Sequence, residues 1–256
     1  MLSKFISLIP YWSGVGLLAL LLSKRQKKIS QDILWASFRT TLQLIFLAFA
    51  LELIFKSTQM YVSLGVALIM TFNSSSQIVA RSKTSRYKIF WISFLSNVFS
   101  IWPIAFFFSW ERSVVVSRWY EPMMLLPLLG MILGNTFNGV SIALSTYLET
   151  FRHHKNQVIT LLSLGATDEE ATRNLFYRSL KAGISPHINS MLAMGIVSIP
   201  GMMAGQLVAA TSAMDASILQ IKMMLSVITG TALCIYIALK FLHKKIFLPT
   251  GEICFE

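Results

Sequence analysis

Apolar residues in this chain come in long blocks, where a soluble protein would space them at helical or alternating intervals. Seven blocks approach or exceed the roughly 20 residues a helix needs to cross bilayer hydrocarbon, at roughly 6–23, 33–55, 61–80, 89–110, 123–148, 188–211 and 216–241. The third is diluted by Asn73, Ser74, Ser75, Ser76 and Gln77. The first has one lysine before it, the run Lys24-Arg25-Gln26-Lys27-Lys28 after it and no small-residue cleavage pattern, so it is expected to stay in the mature chain. The pattern predicts an all-α, polytopic membrane protein with about seven transmembrane helices, forming one domain over 1–256.

Between the last two groups of spans lies one long polar segment, about 149–187, with no stretch able to cross. From Thr150 to Leu164 the apolar positions predict a helix continuing the fifth span, which Gly165 stops. Thr167 followed by Asp168, Glu169 and Glu170 predicts a capping box, with acidic groups at the positive end of the next helix. That helix is expected to run towards Ala182 and end at Gly183, ahead of Ser185-Pro186. A helix, a glycine break and a capped helix make a bent projection suited to a partner; an inert surface helix fits the same pattern.

Composition agrees with membrane as the solvent: 55% of the 256 residues are hydrophobic and 13% charged. The net charge of +11 would suggest nucleic acid in a soluble protein. Here the basic residues sit in short runs between spans, as in loops facing anionic lipid, which disfavours a nucleic-acid binder. Lys24, Arg25, Lys27, Lys28, Arg81, Lys83, Arg86, Lys88, Arg152, Lys155, Arg173, Arg178, Lys181, Lys240, Lys244 and Lys245 fall on one side, against Lys4, Lys56, Arg112 and Arg118 on the other. Because basic residues gather on the cytoplasmic side, the N-terminus is expected outside, the C-terminus inside, and 149–187 in the cytosol. Cys234 and Cys254 have no metal-ligand spacing around them and support neither a disulfide nor a zinc site.

The run Leu162-Ser163-Leu164-Gly165-Ala166-Thr167, with Glu170-Ala171 and Pro186 further on, resembles the cytoplasmic coupling motif of ATP-binding-cassette (ABC) transporter permeases. Arg39-Thr40-Thr41-Leu42-Gln43-Leu44, Gly130-Met131-Ile132-Leu133-Gly134-Asn135 and the stretch from Gly195 through Ser198-Ile199-Pro200-Gly201-Met202-Met203 to Gly205 sharpen it. Together they resemble the iron-export permeases called FetB or YbbM, to which plant proteins of aluminium tolerance are related. The resemblance runs from about Asp32 to the seventh span. It implies a permease in the bacterial inner membrane, paired as a homodimer with a cytosolic ABC ATPase, exporting iron or a related metal and supporting metal or oxidative-stress tolerance. ATP and magnesium would sit on that partner, with no cofactor bound by this chain. The coupling residues would be Leu164, Gly165, Ala166, Thr167, Glu170 and Ala171.

Polar groups inside the spans supply candidates for a path or hinge. Arg39 and Gln43 lie one turn apart on one helix face, where arginine snorkelling or carbonyl pairing competes with a pathway role. Glu52, near the outer end of that helix, reads as an interfacial carboxylate or a metal ligand, and is the one acid noted within a span. Asn135 and Asn138, with Ser141 and Ser145, read as interhelical hydrogen bonding or a polar stripe, and Gly130 with Gly134 as a small-xxx-small contact. Pro200-Gly201 is expected to break the sixth span at its middle, with Met191, Met194, Met202 and Met203 around it as packing or as soft ligands. His153, His154 and His187 are grouped as scattered cytoplasmic histidines.

No P-loop, HExxH or nucleophile elbow is present, so the chain is not expected to be an enzyme. Two other readings compete with the permease. An ion-gradient-driven secondary transporter would need acidic residues within the membrane. A non-transporting adaptor recruiting a cytosolic protein through 149–187 would tolerate substitution of Arg39, Gln43 or Pro200.

Overall fold

The computed structural model describes residues 7–23, 26–56, 59–81, 86–113 and 118–247, without the side chains of 81, 86–88, 112 and 113. Lys4, Lys24, Arg25, Lys83 and Cys254 lie outside the described residues, as do the side chains of Arg81, Arg86, Lys88 and Arg112. Nine α-helices make up the described chain: α1 (Ile9–Ser23), α2 (Lys27–Phe55), α3 (Met60–Arg81), α4 (Arg86–Ser113), α5 (Pro122–His153), α6 (Lys155–Ser163), α7 (Asp168–Ala193), α8 (Gly201–Val208) and α9 (Ala213–Ile246). They fall into two compact units, 1–58 and 59–256.

In the first unit α1 and α2 pack on each other, and the buried Ser30 hydroxyl donates to the Ala19 carbonyl at 2.7 Å. Trp35, Phe46 and Leu53 stand exposed around α2, as expected of a helix whose solvent is lipid. Arg39 and Gln43 are exposed on the same helix. With 15 residues α1 spans about 22 Å at 1.5 Å per residue, short of a bilayer's hydrocarbon.

The second unit is built around α5, which packs against α3, α4, α7 and α9. Ile78, Ile89, Val140, Leu144, Tyr147, Phe151, Leu175, Ile235 and Leu239 form its apolar core. Lipid tails are as apolar as these side chains, so burial alone does not hold such helices together, and hydrogen bonds between them add specificity. Asn97 donates to Ser75 Oγ at 3.1 Å and accepts from the Cys234 thiol at 3.3 Å, joining α3, α4 and α9. Trp102 donates to Thr71 Oγ1 at 3.1 Å, and Thr136 and Thr231 meet at 3.1 Å between α5 and α9. The polar run at 73–77 therefore belongs to an unbroken α3, with Ser74 and Ser75 buried.

Five helices among the described residues are long and apolar enough to cross a membrane: α2, α3, α4, α5 and α9. The stretch expected as a sixth span, 188–211, is not one helix. It is divided among the end of α7, a non-helical linker over 194–200 and the 8-residue α8. Proline at 200 has no N–H to give and holds the residue before it extended, while Gly195 turns at φ +82°. The break is thus wider than a kink at Pro200-Gly201 alone.

A second expectation fails at Gly183. Helix α7 does not end there but runs through Gly183 and Pro186 to Ala193. Gly183 is a packing surface: a Cβ at this position would sit 2.6 Å from the Gly139 carbonyl oxygen of α5. This, and not Gly130 with Gly134, is where the two helices approach most closely. Gly130 meets only the flexible end of Met70, and Gly134 faces open space.

Candidate functional site

Two features of the second unit carry chemistry. The first is the elbow between α6 and α7. Gly165 adopts φ +92°, a conformation that costs an L side chain energy, so the chain can reverse within three residues. The Ala166 amide donates to the Leu161 carbonyl at 3.1 Å and the Gly165 amide to Leu162 at 3.0 Å, the paired bonds of a Schellman end. The capping box then starts α7: Thr167 Oγ1 accepts from the Glu170 amide at 3.3 Å, and Glu170 Oε2 accepts from the Thr167 amide at 2.9 Å and hydroxyl at 2.8 Å. These donations, the backbone one first, hold the Glu170 carboxyl below its ordinary value.

The inner faces of the elbow are anchored. Val158, Ala171 and Leu175 are buried in the same core cluster as Tyr147, Phe151 and Leu239. His243 Nδ1 of α9 lies 3.2 Å from the Tyr147 hydroxyl of α5 and 3.4 Å from Thr172 Oγ1 of α7. Since the Thr172 hydroxyl donates to the Asp168 carbonyl at 2.7 Å, tyrosine is the natural donor to that nitrogen. The outer tip is bare: Leu164 is 79% exposed, with Asp168, Glu169 and Glu170 beside it in sequence. All six residues expected to couple to a partner lie in this one turn, five exposed or half-buried and Ala171 beneath as a packing residue.

The second feature is a cavity of about 380 Å³ among α5, α7, α8 and α9. It brings together Asn135, Asn138, Pro200, Gly201 and Met202 of the residues expected on a path. Asn135 returns its amide N–H to the Met131 carbonyl of its own helix at 2.7 Å. Met203 lines a neighbouring cavity of about 480 Å³, with Met194, Pro200, Gln220 and Met224 shared by both. Arg39 and Gln43 belong to the first unit.

Among the cavity residues that the sequence reading did not place on a path, two carry buried, unpartnered polar atoms. His187, grouped there with His153 and His154, is 8% exposed and sits against Gly139, its Nε2 3.2 Å from where a Cβ on that glycine would be. Gln220, 6% exposed, is an amide between the apolar pairs Ile218-Leu219 and, past Lys222, Met223-Met224 near the start of α9. Acids other than Glu52 also lie within the long apolar helices, among them Glu111, in the last turn of α4, which pairs with Lys222 of α9. Its charge is thereby matched, and Glu52 is not the one acidic residue in such a helix. Among the described residues no group of three His, Cys, Asp or Glu side chains is placed to hold a metal ion.

Known proteins with similar sequences agree with the membrane architecture. The chain is 28% identical over 238 residues to the UPF0014 membrane protein slr1647 of Synechocystis, covering 91% of this chain and 90% of that protein. It is 28% identical over 230 residues to the probable iron export permease protein FetB of Escherichia coli, covering 90% and 87%. To the protein ALUMINUM SENSITIVE 3 of Arabidopsis thaliana it is 32% identical over 123 residues, 45% of each chain. No solved structure matches the chain. The match to one described family runs over residues 7–247, nearly the whole sequence, and the chain is accordingly a member of the uncharacterised protein family UPF0014, a family of membrane proteins.

Proposed function

We propose that this chain is the membrane-spanning permease subunit of an ABC transporter. It works as a homodimer with two cytosolic ATPase subunits and exports iron or a related metal, supporting metal tolerance. The observation that carries this reading is the elbow. Its backbone geometry is closed on both sides of Gly165, its tip at Leu164 is exposed, and its root is packed into α5 and α9. A partner gripping the tip would move three long helices as a unit, because α7 is tied to them by core packing and by the Tyr147–His243–Thr172 contacts. The FetB likeness over 90% of the chain supports metal as the cargo.

Seven crossings follow if α1 and the broken α7–α8 stretch each cross once beside the five long apolar helices. With the basic loops inside, the N-terminus then faces out, and the elbow and the C-terminus lie in the cytosol. ATP and magnesium belong to the partner, whose closure pushes the Gly165 turn and shifts the bundle between inward-open and outward-open states. The cavity at the α7–α8 break is where cargo would pass, since unpaired backbone at bilayer depth is stable only against protein or a wet cavity.

Gly165→Arg tests the coupling. A side chain at φ +92° strains the turn, and a bulky cation alters the docking tip, so the protein is expected to insert but to lose stimulation of its ATPase. Unchanged nucleotide hydrolysis in the purified complex refutes the coupling role. Transport of candidate metals into proteoliposomes tests cargo and direction.

A further inference from the structure

The cavity beside the α7–α8 break has bonding capacity that the protein itself does not use. His187 Nε2 and Gln220 Oε1 are buried with no hydrogen-bond partner, although each such orphan costs about 1–3 kcal/mol. Gln220 is held in place from its other end, its Nε2 lying 3.8 Å from Met194 Sδ. Four thioethers line the same space: Met131, Met194, Met202 and Met224.

Methionine commonly fills gaps, and Met223 does so here at 1% exposure. The four cavity methionines differ, for all are only half-buried and border open volume. No carboxylate, lysine or arginine is among the lining residues. That donor set selects strongly. A hard cation such as magnesium or aluminium gives up its hydration only to anionic or densely packed oxygen ligands, which this cavity lacks. Thioether sulfur and imidazole nitrogen suit a soft, weakly hydrated ion.

We propose that this cavity is a binding station for a soft monovalent cation of the copper(I) type. His187 Nε2 and thioethers drawn from among the four methionines are its ligands, and Gln220 Oε1 supplies a weak further contact or orients the entering ion. The inference rests on reading the chain as a metal permease, and narrows that reading to the softer metals. A neutral donor set also favours release: the site carries no fixed negative charge to retain the ion once the helices move.

The test uses the full chain in nanodiscs with Cys254→Ser, which removes the terminal thiol as a competitor. Copper(I) is titrated without oxygen against a chromophoric chelator, with iron(II) and magnesium(II) measured on the same preparation. One copper(I) per chain is expected, with sulfur and nitrogen neighbours in its X-ray absorption spectrum, and weaker iron(II) binding. His187→Ala, and Met194→Leu combined with Met202→Leu, should each weaken copper(I) on the order of a hundredfold or more. The leucine pair conserves volume, so it decides the matter if the histidine variant does not fold. Copper(I) affinity unchanged in the leucine pair, a sulfur-free absorption spectrum, or iron(II) binding as tightly as copper(I) overturns the proposal. Because binding is measured without any ATPase, such a failure leaves the permease reading standing, and that reading falls only to its own hydrolysis and transport assays.

Discussion

Replacing Gly183 by alanine puts one methyl group where two helices touch. The new Cβ would lie 2.6 Å from the Gly139 carbonyl oxygen, 2.9 Å from the Ala143 Cβ and 2.9 Å from the Ile235 Cδ1. The first two neighbours are backbone or its first side-chain atom and cannot swing away. Helices α5 and α7 must therefore separate by several tenths of an ångström, and overpacking of this kind costs about 1–3 kcal/mol, here towards the upper end. Alanine offsets about 1 kcal/mol of that through its better helix propensity. The net loss is then about 2 kcal/mol, or about 4–8 °C in melting temperature at about 2–4 °C per kcal/mol for a chain of this size. Cys234 provides the assay: it is a fully buried thiol on α9, so in a Cys254→Ser background a thiol-reactive dye reports its exposure on heating. Gly134→Ala is the matched control, since nothing lies within 4 Å of its Cβ, and it should melt at or above the parent temperature. Equal melting of the two variants would refute close α5–α7 packing at Gly183.

The Glu170 carboxyl is held below its ordinary value by the Thr167 amide and hydroxyl, so the linkage sign is that of a depressed acid. Its contribution to the elbow is complete above the ordinary carboxyl range and is lost as pH falls through the lower folded value. Protection of the Thr167 amide, its exchange rate relative to the intrinsic rate at each pH, should fall on acidification over that window, and Glu170→Gln should remove that change; protection that stays constant across the window in the parent contradicts the capping geometry. Tyr147→Phe removes the hydroxyl 3.2 Å from His243 Nδ1 while keeping the ring. It should cost about 1 kcal/mol and reduce the ATPase stimulation transmitted through the elbow. An unaltered melting temperature with unaltered stimulation would remove this contact from the coupling route.

The elbow was legible in sequence because both of its ends are local. Glycine at 165 and the Thr167–Glu170 pair act on amides within a few residues of themselves, so the turn needs no distant partner to specify it. The path residues are a different case. Asn135, Asn138, Pro200, Gly201 and Met202 were recognisable one by one as polar groups or breakers in apolar helices, but their meeting in one cavity depends on how α5, α7, α8 and α9 pack. His187 was set aside because its distance along the chain from Gly139 hides a contact made across two helices.

What the sequence by itself determined is the all-helical membrane architecture and the bend, since a chain this apolar must satisfy its backbone inside helices whatever they pack against. Tertiary structure alone decided how Gly183 and Pro186 are used. Read locally, glycine before a proline ends a helix; here α7 runs on through both, and the missing side chain at Gly183 serves as a contact surface against Gly139. The same packing left His187 Nε2 and Gln220 Oε1 buried without a partner on residues that line the cavity. Whether a side chain is bonded or orphaned depends on neighbours that arrive only when the helices assemble.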